Sequence, residues 1–442
     1  MPAEAAPAPV PEAPADQPGP SLAAEVREWL ASHWDPALTV RQWWSELAQS
    51  GWAFPSWPAG LGGRGLGPAA AGMVREELDR ADALGSPTGV AAWMGAPVVL
   101  EFGDDRQRRR LVPPVARGEE LWCQLFSEPA AGSDLAGVRT RATRANRAPQ
   151  SAQATRDGDG WVIDGQKIWT STAAVAERGI LLARTDWDAP KHRGLSFFIL
   201  PMDQLGVEVR PIRQLNGETH FNEVFLDGAR VDGADLIGGE GNGWAVALAV
   251  LGHERTMAAA GTMRPGPDAG SKAGNLDTPV GEVLERLSEL VSIEPPFPIG
   301  SAPELIDLAQ ERGRGTDPVL RQDLTRLWTL GQCSRLTALR SRAAAELGRT
   351  PGPESSVGYL AGVARARLSR DLVFDVLGPA GTLDGPGAPE GGEPVNMALS
   401  SLAHGIQGGA EQIQRNIIGE RILGLPREPQ VDRDVPFREL PA

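Results

Sequence analysis

Tyrosine, cysteine and histidine are scarce in this chain, with one, two and five copies among 442 residues. Cys123 and Cys333 fall in apolar or helical contexts, so they read as buried thiols rather than a disulfide, in keeping with a reducing cytoplasm. His33, His192, His220, His253 and His404 are scattered without metal-ligand spacing, so no structural or catalytic metal is expected. No apolar run approaches the roughly 20 residues of a transmembrane helix. Basic residues are outnumbered: 43 Lys and Arg against 57 Asp and Glu leave a net charge of −14. That is the wrong sign for a nucleic-acid backbone or an anionic membrane surface, so neither is an expected partner. The first 20 residues, mostly Ala, Pro, Glu and Gly, lack the basic and apolar regions of a secretion signal and read as a disordered tail.

What is present is ordinary globular material, 41% hydrophobic and 23% charged. The chain is too long for one core, so two or three domains are expected. Residues 21–120 carry helical periodicity, starting at the N-capped stretch from Ser21 and continuing through Val40 to Gln49. Residues 121–237 change to short alternating runs with turn signals, a β domain. Residues 238–427 turn helical again, with an insertion near 264–316 and a final helix over Leu399 to Leu423, and 428–442 form a C-terminal tail. The expected fold class is therefore α+β: an N-terminal helical domain, a middle β-barrel-like domain and a C-terminal four-helix bundle. Gly60, Gly62 and Gly65 fit GxGxxG, but no strand precedes them, so the segment reads as a loop and not a dinucleotide site.

Two stretches of the β domain carry the chemistry. Leu121 to Phe126 is an apolar run that breaks at Ser127-Glu128-Pro129 into the small-residue loop Ala130-Ala131-Gly132-Ser133-Asp134. Taken alone, that loop is a tight turn between strands. The second stretch, Gly158 to Thr172, has two Asp-Gly turns flanking an apolar run and ends in Trp169-Thr170-Ser171-Thr172, which reads as a hairpin.

In that order, the two stretches resemble the middle domain of the acyl-CoA dehydrogenase family, whose pattern is SEPxAGSD followed by DGxxxxGxKxWxT. The resemblance covers roughly Val40 to Met263 and Asp317 to Arg427. It implies an FAD-dependent α,β-dehydrogenation of an acyl-CoA thioester, with electrons passed to an electron-transfer flavoprotein, in a homotetramer or a heterotetramer with a paralogous chain. It places Gln124, Phe126 and Ser127, by backbone and side chain, on one side of the flavin ring, and Trp169, Thr170 and Ser171 on the other. Ser133 aligns with a family residue that contacts the acyl-CoA.

The reaction needs a carboxylate to remove the thioester α-proton. In most of the family this glutamate sits near the end of the bundle in Tyr-Glu-Gly-Thr, but here the stretch reads Gln407-Gly408-Gly409-Ala410. A minority of the family carries it on an earlier helix in a Leu-Glu-Arg context. Leu251 to Arg255 matches that place, so Glu254 is the candidate base and Arg255 the arginine beside it. Glu411 and Glu420 are weaker candidates, and spacing alone would leave Glu254 an ordinary helix-surface carboxylate. The family's Arg-x-x-Phe-Gly has no clear counterpart, and Ala410 replaces a flavin-contacting threonine. These departures keep three alternatives open: an FAD-incomplete subunit of a heterotetramer, an oxygen-reactive oxidase or monooxygenase, and a noncatalytic acyl-CoA binder.

Overall fold

The computed structural model describes residues 20–145, 160–260, 267, 269–293, 301–346, 353, 355–385, 387–427, 429 and 433–440. The N-terminal tail to residue 19, and all but the first residues of the polar segment after Arg141, lie outside them.

Helices α1 (Pro20–His33), α2 (Val40–Ser50), α3 (Pro68–Arg80), α4 (Ala96–Phe102) and α5 (Asp105–Ala116) form the N-terminal helical layer. Capping boxes at Thr39/Gln42 and Asp104/Gln107 satisfy the first amides of α2 and α5. Tryptophans fill this core: Trp43 and Trp44 are buried and donate their indole N–H to the carbonyls of Leu84 (2.6 Å) and Gly85 (2.9 Å). Gly118, at φ +64°, closes the layer where a Cβ would lie 2.1 Å from the Trp44 ring. The GLGGRGLG segment is a loop entering α3, as expected.

Among the described residues eight strands follow: β1 (Trp122–Leu125), β2 (Arg141–Arg144), β3 (Trp161–Ser171), β4 (Arg178–Arg184), β5 (Leu195–Pro201), β6 (Val207–Ile212), β7 (Phe221–Val231) and β8 (Leu236–Ile237). They make one mixed sheet in the order β6-β7-β3-β2-β4-β5-β8, with β1 added parallel to β4. Both faces of its centre are covered, which explains the unbroken apolar runs of β4 and β5. Ile180, Leu182, Phe197 and Ile199 face the core shared with the helices, while Leu181, Ala183, Phe198 and Leu200 face the other side.

Helix α6 (Gly243–Ala260) leaves the sheet and lays Val246, Ala247 and Val250 into the same core as Phe126 and Phe197. Beyond it lie α7 (Val280–Ile293), α8 (Ala302–Glu311), α9 (Pro318–Glu346), α10 (Ser355–Leu377), α11 (Glu393–Ser401) and α12 (Glu411–Ile417). Helices α8, α9 and α10 share a leucine- and valine-rich core that α11 completes with Met397.

Four features depart from the sequence reading. The expected hairpin over Gly158 to Thr172 is one strand, β3, in which Asp164-Gly165 makes a register shift with β7 and not a turn. The final helix is interrupted between Ser401 and Glu411, where Gly405, Gly408 and Gly409 form a turn. Part of the inserted stretch packs into the N-terminal core through Ala269, Leu276, Val280 and Val283, and Arg41 pairs with Asp277 at 2.9 Å. Cys333 is exposed; only Cys123 is a buried thiol, its pKa pushed up to about 12 by burial. Among the described residues no helix is long and apolar enough to cross a membrane.

Candidate functional site

The two β-domain motifs are physically one unit. After β1, the backbone of Glu128 exchanges hydrogen bonds with that of Ala131, folding Pro129-Ala130 into a tight loop. Lys167, fully buried on β3, reaches across to it. Its ammonium donates to Glu128 Oε1 (2.8 Å), to the Phe126 carbonyl (3.0 Å) and to the Leu182 carbonyl (2.9 Å), which uses all three protons. The Glu128 carboxylate also accepts from the amides of Arg139 (2.7 Å) and Thr140 (2.9 Å). Burial opposes its ionisation, but Lys167 and those donors outweigh it and hold the carboxyl below the usual range. Burial pulls the Lys167 ammonium below its ordinary value, with Glu128 opposing.

This clamp fixes the segment that the resemblance assigns to the flavin. Gln124 and Ser127 are part-buried, and the Ser127 carbonyl accepts from the Ile168 amide at 3.0 Å. The Phe126 ring is buried, edge-on to Phe197, and its carbonyl accepts from Lys167. Opposite, the β3–β7 register shifts between Lys167 and Thr170. Trp169 occupies that shift at φ +62°, rare for a bulky residue, and stands 57% exposed with its ring edge against Phe221. Ser171 is exposed, whereas Thr170 is buried with a hydroxyl that has no hydrogen-bond partner among the described residues. An outward indole held in a costly conformation and an unpaired hydroxyl beside it fit a planar, heteroatom-rich group. Ser133 is exposed on the loop that follows the clamp.

The second cluster lies between α6 and the turn before α12. Glu254 projects from α6 toward Gly408, so that a Cβ on Gly408 would lie 3.9 Å from Glu254 Oε1 and 3.8 Å from Tyr359 Cε2. The Tyr359 hydroxyl is 2.7 Å from the carbonyls of both His404 and Gln407 and holds the turn in place. His253 is pushed toward its neutral form by burial, with Glu101 opposing from 3.9 Å. The Arg255 side chain lies outside the described residues. Glu411 is engaged by Arg367 and Arg415, and Glu420 lies 3.6 Å from Arg427. Sequence reasoning missed Tyr359 and the Glu128–Lys167 pair. A lysine at an inward position of an alternating strand was the available signal for the pair.

Comparison with known proteins matches this architecture throughout. Residues 21–119, 123–228 and 300–423 match, in turn, the family models for the acyl-CoA dehydrogenase N-terminal, middle and C-terminal domains. Glu254 falls between the second and third matches. Acyl-CoA dehydrogenase IpdE1 of Mycobacterium tuberculosis is 37% identical over 426 residues, covering 92% of this chain and 97% of that protein. The Tcur3481-Tcur3483 steroid ACAD superposes with a TM-score of 0.65 at 25% identity, over 93% of this chain and 100% of that one. The ChsE4-ChsE5 complex from Mycobacterium tuberculosis gives 0.63 at 27% identity, over 92% and 97%.

Proposed function

Because the chain belongs to the acyl-CoA dehydrogenase family, we propose that it is an FAD-dependent enzyme that uses Glu254 to take the α-proton of an acyl-CoA thioester. One observation carries this reading: Glu254 Oε1 lies 3.9 Å from the point where a Gly408 side chain would begin. A glutamate on the bundle turn, the arrangement the resemblance gives for most of the family, would enter that same space from position 408. Here the carboxylate enters from α6, and glycine at 408 leaves room for it.

FAD, when bound, supplies the hydride acceptor. Gln124, Ser127, Trp169, Thr170 and Ser171 are the residues proposed to hold it, together with the Phe126 backbone. Trp169 offers a stacking face, and the Thr170 hydroxyl gains the partner that it lacks among the described residues. Glu254 holds the abstracted proton, with Arg255 proposed to orient it, and Ser133 is the proposed acyl-CoA contact. Electrons leave to an electron-transfer flavoprotein. A bulky, ring-bearing acyl group is the substrate class favoured, because the base enters from α6 and leaves position 408 without a side chain, and because a structural relative is a steroid ACAD.

Glu254→Gln tests the base. The purified variant is expected to keep its yellow flavin spectrum but to lose anaerobic bleaching by acyl-CoA by roughly 100-fold or more, the size typical of a general base. Bleaching within a few-fold of wild type would remove Glu254 from that role. A second reading, an FAD-incomplete subunit of a heterotetramer, is favoured by Ala410 in the family's threonine place and by the likeness to the ChsE4-ChsE5 complex. A chain that purifies colourless alone and yellow with a paralogous partner would establish it.

A further inference from the structure

The end of the chain returns to the β domain beyond the last family-model match. Residues 433–440 lie along the β4–β5 connection: the Phe437 amide donates to the Ala189 carbonyl and the Arg438 amide to the Trp187 carbonyl, both at 3.0 Å. Pro436 bridges to Pro190, and Arg438 pairs with Asp188. The Phe437 ring is buried, packed edge-on against Trp187, with the Arg184 guanidinium 3.4 Å from its centroid.

Arg184 is the unusual member. It is wholly buried and makes no ion pair with a carboxylate among the described residues; burial holds its pKa down to about 10. Its donors go to carbonyls instead: Ala136 (2.7 Å), Lys191 (3.1 Å) and Val138 (3.2 Å). Its flat face is left to the Phe437 ring. Ala136 and Val138 close the loop that carries Ser133, and Lys191 grips the same loop by pairing with Asp134. The strap, the β4–β5 connection and the Ser133 loop are therefore stacked in series, with Arg184 as the pin.

We propose that the C-terminal strap positions the Ser133 loop for acyl-CoA, with Phe437 as the positioning residue acting through Arg184. This rests on the reading of Ser133 as a substrate contact. Removing the ring uncovers a buried guanidinium, which then draws in water and loosens its hold on the Ala136 and Val138 carbonyls. The Lys167 ammonium bonds Glu128, Phe126 and Leu182 and touches neither Phe437 nor Arg184, so the Phe126–Glu128 end of the loop keeps its anchor although Glu128 and Arg184 both meet Thr140.

Phe437→Ala, Phe437→Leu and Ser133→Ala in the full-length flavoprotein test this by amide hydrogen exchange and steady-state kinetics. Faster exchange across residues 133–138 is expected in both Phe437 variants, with exchange in β1 and the flavin spectrum unchanged. KM for acyl-CoA should rise roughly tenfold at nearly constant kcat, as a displaced contact loop would produce. Leucine fills the volume without the ring face, so a Phe437→Leu protein that behaves as wild type would overturn the role of the ring. Unchanged exchange across 133–138 in a folded Phe437→Ala protein would overturn the strap altogether. Faster exchange with an unchanged KM, together with a silent Ser133→Ala, would uphold the strap and sink the substrate role of Ser133 instead.

Discussion

Gly408 sits at φ +65°, and among the described residues only Glu254 Oε1 and Tyr359 Cε2 come within 4 Å of the position its Cβ would take. An alanine there meets ordinary van der Waals neighbours but a strained backbone, so it should cost about 1 kcal/mol, read as a shifted urea midpoint. A glutamate there is more informative. Gly408→Glu sets a second carboxylate in the space that Glu254 already uses, and two like charges so close cannot both ionise easily. One of the two pKa values must rise. A base works only when ionised, so the ascending limb of the pH profile for flavin reduction should move to higher pH than in wild type. Combined with Glu254→Gln, the new glutamate should restore part of the lost rate from the opposite side. A profile that does not move would show that the two positions do not share a site.

Buried between β1 and β3, the Glu128–Lys167 pair shows how separate strands become one surface. Removing one partner leaves an uncompensated charge, so Lys167→Met or Glu128→Gln should each destabilise by about 3–5 kcal/mol. The apolar double variant Glu128→Leu with Lys167→Met should recover much of that in a urea titration. The folded pKa of Glu128 is depressed, so its stabilisation is present above the usual carboxylate range and is lost as pH falls through the depressed value. The stability gap between wild type and the double variant should therefore shift against wild type in acid. The first motif was legible because it is local, Pro129 ending the apolar run within a few residues, whereas the second Asp-Gly misled: Asp164-Gly165 sits inside the single strand β3 at a register shift with β7 and turns no hairpin. The union of the two motifs was not legible, because Glu128 and Lys167 stand 39 positions apart and only the sheet brings them together. The same reason hid the break after Ser401. Periodicity continues through the segment, and only the tertiary hold of Tyr359 on the His404 and Gln407 carbonyls shows that the glycines form a turn. The burial of the Phe126 ring against Phe197 was not legible either, because a motif match places a residue without saying where its ring points.

Over the molecule as a whole, the three-layer architecture followed from the texture of the sequence, helical periodicity giving way to alternation and back, because burial against one sheet imposes it. What texture could not give is which outer faces stay uncovered. Helix α9 presents Trp328, Leu336 and Leu339 to solvent, each more than 40% exposed. At 100° per residue these fall within a stripe roughly 80° wide. An apolar stripe of this kind on a 29-residue helix is where a contact with another chain is expected. It suits another chain of the same fold, which would offer a matching long helix and close the assembly by symmetry. Trp328→Lys with Leu339→Lys places two like charges in such a contact and should dissociate it. Light scattering would then read a mass near the 46.9 kDa of one chain in place of a multiple of it. Circular dichroism should be unchanged, since neither side chain is buried within the chain. If the mass stays high, assembly runs through another face. If wild type is itself a monomer until a paralogous chain is co-expressed, the stripe is the surface reserved for that partner, and the double variant should then abolish the complex.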